Sequence, residues 1–364
     1  MHAENGDEDK LLAAQLAHGV AEKLCNVDTL AIQTMLEDPI LIKFIETLGR
    51  CYFSRLSEIW WMTPGFISSE CSTTRLTKCM LRHANNEQEL PLICPRQLRS
   101  MHLVPFTNKF SWQCFRLDKE SGIVVFDNLE RLVLDSRHYG IDVPDGAPRL
   151  LENEKKLETV FPELRQLLLR RITVTPEIVK PFVASPLKTV IFEGPLGSAL
   201  QLRALKLGQL DALKVSTWFG FSVPDDEFYS DSNMLFQTTE SAPVVKFCID
   251  IEDKVISAAD IYWPCLTHLD VCDKYIDDLA LDLVPRVPNL VYLHVRAFRA
   301  GHCETDQCAR RYFADLRLRY RQPSSSRITD VLLLFAADRP KIYDELAVGQ
   351  FSRYLPNLRN IKID

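Results

Sequence analysis

Hydrophobic and polar positions follow one short pattern that recurs along the chain, Pro-x-Leu-x-x-Leu-x-Val. The pattern is plainest at 161–169, 263–271, 287–295 and 355–363. Its last two apolar positions alternate with polar ones, as a short β-strand with one buried face requires. The leading proline has a fixed φ and lacks an N–H group, so it suits the residues just before a strand. Each copy therefore predicts a short strand.

Other copies lack the proline but keep the same spacing of apolar residues. They begin at Leu129, Leu187, Leu210 and Ile328, with a further candidate at Val244. Four of the intervals between successive copies fall within the roughly 20–29 residues of leucine-rich repeats, and the longer ones leave room for a helix or a loop. One such unit cannot bury its apolar face alone, so neighbours must stack. The prediction is an α/β fold, an irregular leucine-rich-repeat solenoid with short parallel strands.

A helical region precedes the repeats. The predicted organisation is a disordered tail at 1–10, a helical N-terminal region at 11–62, a connecting segment at 63–94 and the solenoid at 95–364. The first helix should bury a face with a four-residue step, formed by Leu12, Leu16, Val20 and Leu24. A second helix should begin at Pro39 and end before Gly49. A third is predicted at 51–62, with Trp60 and Trp61 in the core.

Composition and charge restrict the class of protein. The chain has 364 residues, 46% of them hydrophobic, which is ample for a large core. A net charge of −6 argues against nucleic-acid binding by the whole surface. The N-terminus carries no signal peptide, and no apolar run approaches the roughly 20 residues of a spanning helix. We therefore expect an intracellular protein, cytoplasmic or nuclear, with reduced thiols and no membrane segment.

Motifs that bind nucleotides or hold catalytic metals do not occur in the sequence. Cysteine and histidine form two loose sets without C-x-x-C spacing, which are Cys71, Cys79, His83 and Cys94, then His302, Cys303 and Cys308. Buried free cysteines are the ordinary interpretation of such sets. The sequence therefore predicts no catalytic residue, no metal and no cofactor, and a protein that is not an enzyme.

A strongly periodic helix is predicted over 305–322. Its apolar stripe leaves Arg310, Arg311 and Arg317 on the opposite face. Such a face could bind phosphate or an acidic partner, or it could be a solvated surface with local salt bridges. The acidic segment 224–233 is a second interruption of the repeats, and we predict an exposed loop there.

The four proline-containing copies resemble, in the form of the repeat, the irregular repeats of F-box and leucine-rich-repeat proteins, especially divergent fungal ones. The resemblance covers about residues 125–364. It implies an N-terminal F-box that binds a ubiquitin-ligase scaffold through an adaptor, with the repeats holding a substrate. Residues 11–62 would then be a solenoid cap or a degenerate F-box-like module. They lack the family's Leu-Pro opening, and the family's asparagine after each repeat strand is missing here.

The function expected from these observations is a non-enzymatic protein-interaction scaffold, of which a ubiquitin-ligase substrate adaptor is the most concrete version. The protein partner would lie on the concave face of the sheet. Its contacts would be the residues at the intervening positions of the repeated pattern, namely Arg165, Lys188, Lys214, His268, Tyr292 and Arg359. One alternative is an enzyme of unrecognised α/β fold. The other is a nucleic-acid-associated factor that uses the arginine-rich helix.

Overall fold

Thirteen short strands lie in the part of the chain that the structure describes, and all of their pairings there are parallel. The chain divides into two compact units, residues 1–188 and 189–364. The structure, a computed structural model, describes residues 4–33, 39–48, 51, 53–62, 76–83, 97–105, 125–135, 161–172, 174–218, 239, 242–251, 262–273, 281, 284–297, 305–324, 326–335 and 339–363.

The first unit contains six strands whose spatial order is their order in the chain. They are β1 (Thr29–Gln33), β2 (Glu58–Met62), β3 (Lys78–His83), β4 (Ser100–Pro105), β5 (Arg131–Asp135) and β6 (Gln166–Arg170). Helices α1 (Glu4–Leu24) and α2 (Pro39–Leu48) pack against each other. The short helix α3 (Pro176–Val179) continues into a 3₁₀ turn at Lys180–Phe182.

The second unit contains seven strands, again in chain order. They are β7 (Thr189–Pro195), β8 (Ala212–Trp218), β9 (Val244–Ile251), β10 (His268–Asp273), β11 (Tyr292–Ala297), β12 (Asp330–Phe335) and β13 (Asn360–Ile363). Its helices include α4 (Leu196–Ala199), α5 (Asp306–Arg319) and α6 (Lys341–Tyr354), and α5 packs against α6. Further 3₁₀ turns lie at Leu200–Ala204, Leu207–Gln209 and Val284–Arg286.

The strand predictions are confirmed at all nine copies of the repeated pattern, which correspond to β5 through β13. The α/β class with short parallel strands is therefore confirmed, and a stack in chain order is what a solenoid requires. Membership of the leucine-rich-repeat class stays a prediction. The second predicted helix is also confirmed, because α2 begins at Pro39 and ends at Leu48.

The proline of the pattern occupies a turn that precedes the strand. The carbonyl of Trp263 accepts a hydrogen bond from the N–H of Leu266 (3.2 Å), and Val287 and Leu290 form the same pair (3.0 Å). Proline thus stands at the second turn position, where its fixed φ is favoured. Trp263 and Val287 are buried, so the pattern contains one more core position than its leucines alone suggest.

Aromatic rings form a row in the core of the first unit. Phe126 and Phe161 occupy the position that Trp263 holds in its own copy, and Phe182 lies in the 3₁₀ turn before the copy that begins at Leu187. The ring of Phe161 lies between those of Phe126 and Phe182, with centroid separations of 5.5 and 5.3 Å. All three side chains are buried. These three rings therefore stack one on the next in the core, in addition to the leucines of the strands.

Backbone and asparagine hydrogen bonds join neighbouring repeats just before their strands. The carbonyl of Thr267 accepts from the N–H groups of both Val291 (3.1 Å) and Tyr292 (3.0 Å). The Nδ2 group of Asn289 donates to the Pro264 carbonyl at 2.7 Å. An asparagine side chain therefore joins neighbouring repeats before the strand, whereas the family pattern has its asparagine after the strand.

The strand array begins earlier than predicted. Strands β1, β2 and β3 precede residue 95, and β1 pairs with β2, β2 with β3 and β3 with β4, all in parallel. The predicted helix at 51–62 is wrong at its end, because Glu58–Met62 is β2, and Trp60 is exposed there. The predicted tail is likewise wrong from residue 4 onward, where α1 begins. The acidic and polar start of α1 concealed a helix that continues into apolar turns.

The buried face of α1 differs from the predicted leucine face. The structure buries Ala13, Ala17 and Ala21, and leaves Leu12 and Leu16 exposed. Both faces have the same four-residue step, so periodicity alone could not choose between them. Small side chains allow a closer approach of helices, and α1 has α2 as its packing neighbour.

Strand register departs from the repeat spacing at one place in the second unit. The copies beginning at Leu210 and Val244 predict that Leu213 aligns with Phe247. An irregularity after Leu213 instead pairs Val215 with Phe247. As a result Lys214 stands beside Lys246. This register decides which side chains of β8 and β9 are neighbours on the surface of the sheet.

Candidate functional site

Alternate residues of β8–β11 form a polar surface on the side of the sheet opposite the buried leucines and valines of these strands. We call it the polar face. Its first row consists of Lys214, Lys246, His268 and Tyr292, and its second row of Ser216, Cys248, Asp270 and His294. Parallel pairing holds each row in register, because residues paired across strands point the same way.

The first row changes from charged to aromatic along its length. Lys214, Lys246 and His268 are exposed, and Tyr292 is half-buried. The rings of His268 and Tyr292 are in contact, with centroids 5.8 Å apart. The Nδ1 atom of His268 also lies 2.8 Å from the hydroxyl of Thr267. The row therefore presents two ammonium groups beside a paired aromatic surface.

The second row contains a charged network centred on Asp270. Oδ2 of Asp270 lies 3.2 Å from Nδ1 of His294, and Oδ1 accepts a hydrogen bond from Nε of Arg296 at 3.2 Å. The guanidinium of Arg296 also lies 3.7 Å from the Cys248 sulfur. One carboxylate thus ties together side chains from β10 and β11, and the arginine extends the network to β9.

Burial and neighbouring charges shift the pKa values of Asp270 and Cys248 in this network. Burial alone would raise the pKa of Asp270, but the hydrogen bond from His294 and the charge of Arg296 outweigh it and lower that pKa. Burial raises the pKa of the Cys248 thiol, and the charge of Asp270 raises it further. Cys248 is therefore held as a neutral thiol at neutral pH, which is unlike an activated nucleophile.

A related network in the first unit has a different setting. Nη2 of Arg171 lies 2.8 Å from Oδ1 of Asp135, and Nε2 of His102 lies 3.9 Å from Oδ2 of the same residue. There, however, Val133 and Leu168, which lie on the same side of the sheet as His102, are buried, although Arg131 and Gln166 at the start of their strands are exposed. In the second unit the second row instead has polar side chains on all four strands, and the first row beside it has three exposed ones.

The structure brings some of the predicted contact residues together and separates others. Lys214, His268 and Tyr292 share the first row of the polar face. Arg165 and Lys188 lie next to each other in the first unit, where the Arg165 carbonyl accepts from the Lys188 N–H at 2.8 Å. Arg359 is exposed just before β13.

The predicted arginine face lies on α5. Arg310, Arg311 and Arg317 are all exposed, while Ala309, Phe313 and Leu316 are buried. The helix and its apolar stripe are therefore confirmed. The hydroxyl of Thr305 caps the helix by accepting from the Cys308 N–H at 3.3 Å.

Sequence reasoning missed Arg296 and five residues of the polar face, which are Lys246, Ser216, Cys248, Asp270 and His294. Strands β9, β10 and β11 were predicted, but only one contact residue was predicted on β10 (His268), one on β11 (Tyr292) and none on β9. The missing signal was available in the alternation, since the residue two positions after each predicted contact must face the same way. Reading that position gives Asp270 after His268, and His294 after Tyr292.

The two loose cysteine and histidine sets fall mostly outside the described residues. Within the described residues, no group of three or more His, Cys, Asp or Glu side chains is arranged to hold a metal ion. Cys79 is buried and Cys308 is half-buried in α5. The acidic segment 224–233 also lies outside the described residues.

Two further observations concern similarity to known proteins and the described helices. Comparison with protein-family models gives no match, and comparison with curated proteins gives none either. None of the helices that the structure describes has both the length and the apolar composition needed to cross a membrane.

Proposed function

We propose that the chain is a protein-interaction scaffold whose ligand lies across the polar face of the second unit. The observation that carries this proposal is the Asp270 network, which holds half-buried charged side chains in fixed positions beside an exposed first row. Polar groups that are already ordered lose little further freedom on binding, so they favour a specific interface. The neighbouring aromatic pair of His268 and Tyr292 supplies the kind of side chains enriched in interfaces.

The network also favours binding over catalysis. Its one thiol, Cys248, has a raised pKa, and a neutral thiol is a poor nucleophile. Asp270 has a lowered pKa, which makes it a weak general base. The enzyme alternative therefore gains no support from the most organised polar cluster among the described residues.

Site-specific photo-crosslinking tests the proposal. A benzoylphenylalanine introduced at Tyr292 places a reactive group on the polar face. The same residue introduced at Tyr262, which is exposed but lies before β10, is the matched control. We expect a discrete protein adduct from Tyr292 and none from Tyr262 after irradiation in cells. Adducts that are equal at the two positions, or missing at Tyr292, would refute the proposal.

The more specific version of this proposal is a substrate adaptor of a ubiquitin ligase. It is supported by the resemblance of the repeats and by a second exposed surface on α1, where Leu11, Leu12 and Leu16 are uncovered. Affinity purification of the full chain should recover ubiquitin-ligase components, and a Leu12→Ser, Leu16→Ser variant should lose them while keeping the Tyr292 adduct. Purification without any such component would end this version.

A second candidate function is nucleic-acid binding through α5, favoured by the exposure of Arg310, Arg311 and Arg317. Phosphate contacts by three arginines make binding steeply dependent on salt. Reversing the three charges to glutamate should then abolish salt-sensitive binding of a DNA duplex in a gel-shift titration. Binding that survives the substitution would remove this candidate.

A further inference from the structure

Two lysines stand side by side on the polar face. Lys214 on β8 pairs in register with Lys246 on β9, and both side chains are exposed. Residues paired in this way lie about 5 Å apart, and like charges directly opposite each other destabilise a sheet. Among the described residues, neither ammonium group forms an ion pair with a carboxylate. The pair is thus a local excess of positive charge on a chain whose net charge is −6.

The second row has a carboxylate on each side of this pair, Glu193 on β7 and Asp270 on β10, and among the described residues neither forms an ion pair with Lys214 or Lys246. Asp270 is already bound to His294 and Arg296. At its far end the first row continues to Asp330, whose carboxylate accepts a hydrogen bond from Nδ2 of Asn360 at 2.7 Å. The row therefore has a cationic end, an aromatic middle and an acidic end, which gives any charged ligand one preferred direction.

From this order we infer that the first row binds an acidic, extended segment of the partner protein, which runs across the strands from β8 to β11. Carboxylates of the segment pair with Lys214 and Lys246, and an apolar or aromatic side chain rests on the rings of His268 and Tyr292. The distance from Lys214 to Tyr292 covers three strand spacings, about 14 Å, which four or five extended residues span. This inference rests on the proposed function and adds the chemistry of the partner.

Repulsion between Lys214 and Lys246 is unfavourable in the free protein, so its relief favours binding of an acidic ligand. A bound acidic segment removes the repulsion between the two lysines, and the cationic row attracts such a segment from a distance. Nucleic acid carries the same sign of charge as the acidic segment, but the chain's overall negative charge opposes it. The experiment below therefore includes an oligonucleotide.

Fluorescence anisotropy with the purified full chain tests the inference. The probes are a short fluorescein-labelled polyglutamate peptide with one central phenylalanine, and the same peptide with serine in place of glutamate. We expect the glutamate peptide alone to bind, with an affinity that falls as salt rises. Lys214→Glu together with Lys246→Glu should weaken binding by about tenfold or more. The matched control is Lys362→Glu, which changes an exposed lysine four strands from Lys246. This variant should bind the peptide like the unaltered chain.

A stability measurement separates a binding role from a structural one. Lys246→Glu alone replaces a like-charged pair with an opposite-charged pair, so its thermal midpoint should equal or exceed that of the unaltered chain while peptide affinity falls. If charge reversal lowers the midpoint, Lys246→Gln, which removes the charge without reversing it, must still reduce affinity. Unchanged affinity in these variants overturns the inference. Equal weakening by Lys362→Glu, or tighter binding of a single-stranded oligonucleotide than of the glutamate peptide, also overturns it.

Failure of this inference differs from failure of the proposed function. A partner that crosslinks to Tyr292 equally well in the presence of Lys214→Glu and Lys246→Glu overturns the acidic-segment inference and leaves the scaffold intact. The loss of every Tyr292 adduct in the otherwise unaltered chain refutes the scaffold itself, whatever the peptide binds.

Discussion

The carboxylate of Asp270 and the imidazole of His294 face each other on adjacent parallel strands, with Oδ2 and Nδ1 3.2 Å apart. The two residues are paired directly in the register of β10 and β11. Arg296, two residues along β11, binds the other carboxylate oxygen. A single acidic residue therefore connects two repeats by side-chain bonds, in addition to the backbone ladder.

Asp270→Asn should destabilise the fold. The substitution removes the charge that both His294 and Arg296 contact, and a hydrogen bond to a charged group is worth about 1.5–3 kcal/mol. We expect the free energy of unfolding to fall by about 2 kcal/mol in urea titrations at neutral pH. Asp330→Asn, at a half-buried carboxylate that continues the first row, is the control and should leave the urea midpoint nearly unchanged. If Asp330→Asn lowered the urea midpoint more than Asp270→Asn does, the stabilising role assigned to the Asp270 contacts would be wrong.

The contribution of Asp270 should depend on pH in a defined direction. Its pKa is lower in the folded chain than its ordinary value, which is about 3.9 for an unfolded aspartate. A lowered folded pKa gives stability that is fully present above the unfolded value and is lost as the pH falls through the folded one. The difference between the unaltered chain and Asp270→Asn should therefore be constant above about pH 5 and shrink below about pH 4. A difference that grows on acidification would be the opposite of this expectation.

The alanine face of α1 should tolerate no enlargement. Ala17 is fully buried, whereas Leu16 beside it is exposed. Ala17→Leu forces extra volume into a filled interface and should cost about 1–3 kcal/mol. Leu16→Ala changes only an exposed side chain and should alter the free energy of unfolding by less than about 0.5 kcal/mol. Chemical denaturation of both variants compares the two faces directly. If Leu16→Ala is the more damaging, the leucine face is the buried one after all.

Two glycines of the second unit should respond to alanine in opposite ways. A Cβ at Gly194 would lie 2.8 Å from Cζ of Phe192, whose ring is fully buried and has little room to move. Gly194→Ala should therefore destabilise by about 1–3 kcal/mol. A Cβ at Gly349 in α6 meets nothing within 4 Å, so Gly349→Ala should stabilise by about 1 kcal/mol through helix propensity. Thermal unfolding would show a lower midpoint for the first variant and a higher one for the second.

Cysteine reactivity should follow burial. Burial raises the pKa of the Cys79 thiol to about 12, and Cys265 is exposed. Because the thiolate is the reacting form, iodoacetamide at about pH 8 should modify Cys265 in the folded chain and reach Cys79 only after denaturant is added. Peptide mapping by mass spectrometry distinguishes the two sites. Rapid labelling of Cys79 without denaturant would place it outside the core.

The N-terminal strands show how much further the sequence pattern extends than we predicted. Val27, Leu30 and Ile32 have the spacing of the later copies, as do Leu56, Ile59 and Trp61. Both sets fall at strands, β1 and β2. They were missed because helical patterns precede and separate them and because neither has the proline. The local signal was present, and competing helical periodicity obscured it.

The sequence alone determined that short strands recur and which of their residues are core. Alternation decides this locally, since burying one face of a strand requires an apolar residue at every second position. It could not determine which residues stand beside one another, because register depends on how whole repeats pack. The irregularity between β8 and β9 places Lys214 beside Lys246, and parallel pairing places Asp270 beside His294. In the same way, packing against α2 selected the alanine face of α1 over a leucine face of equal period.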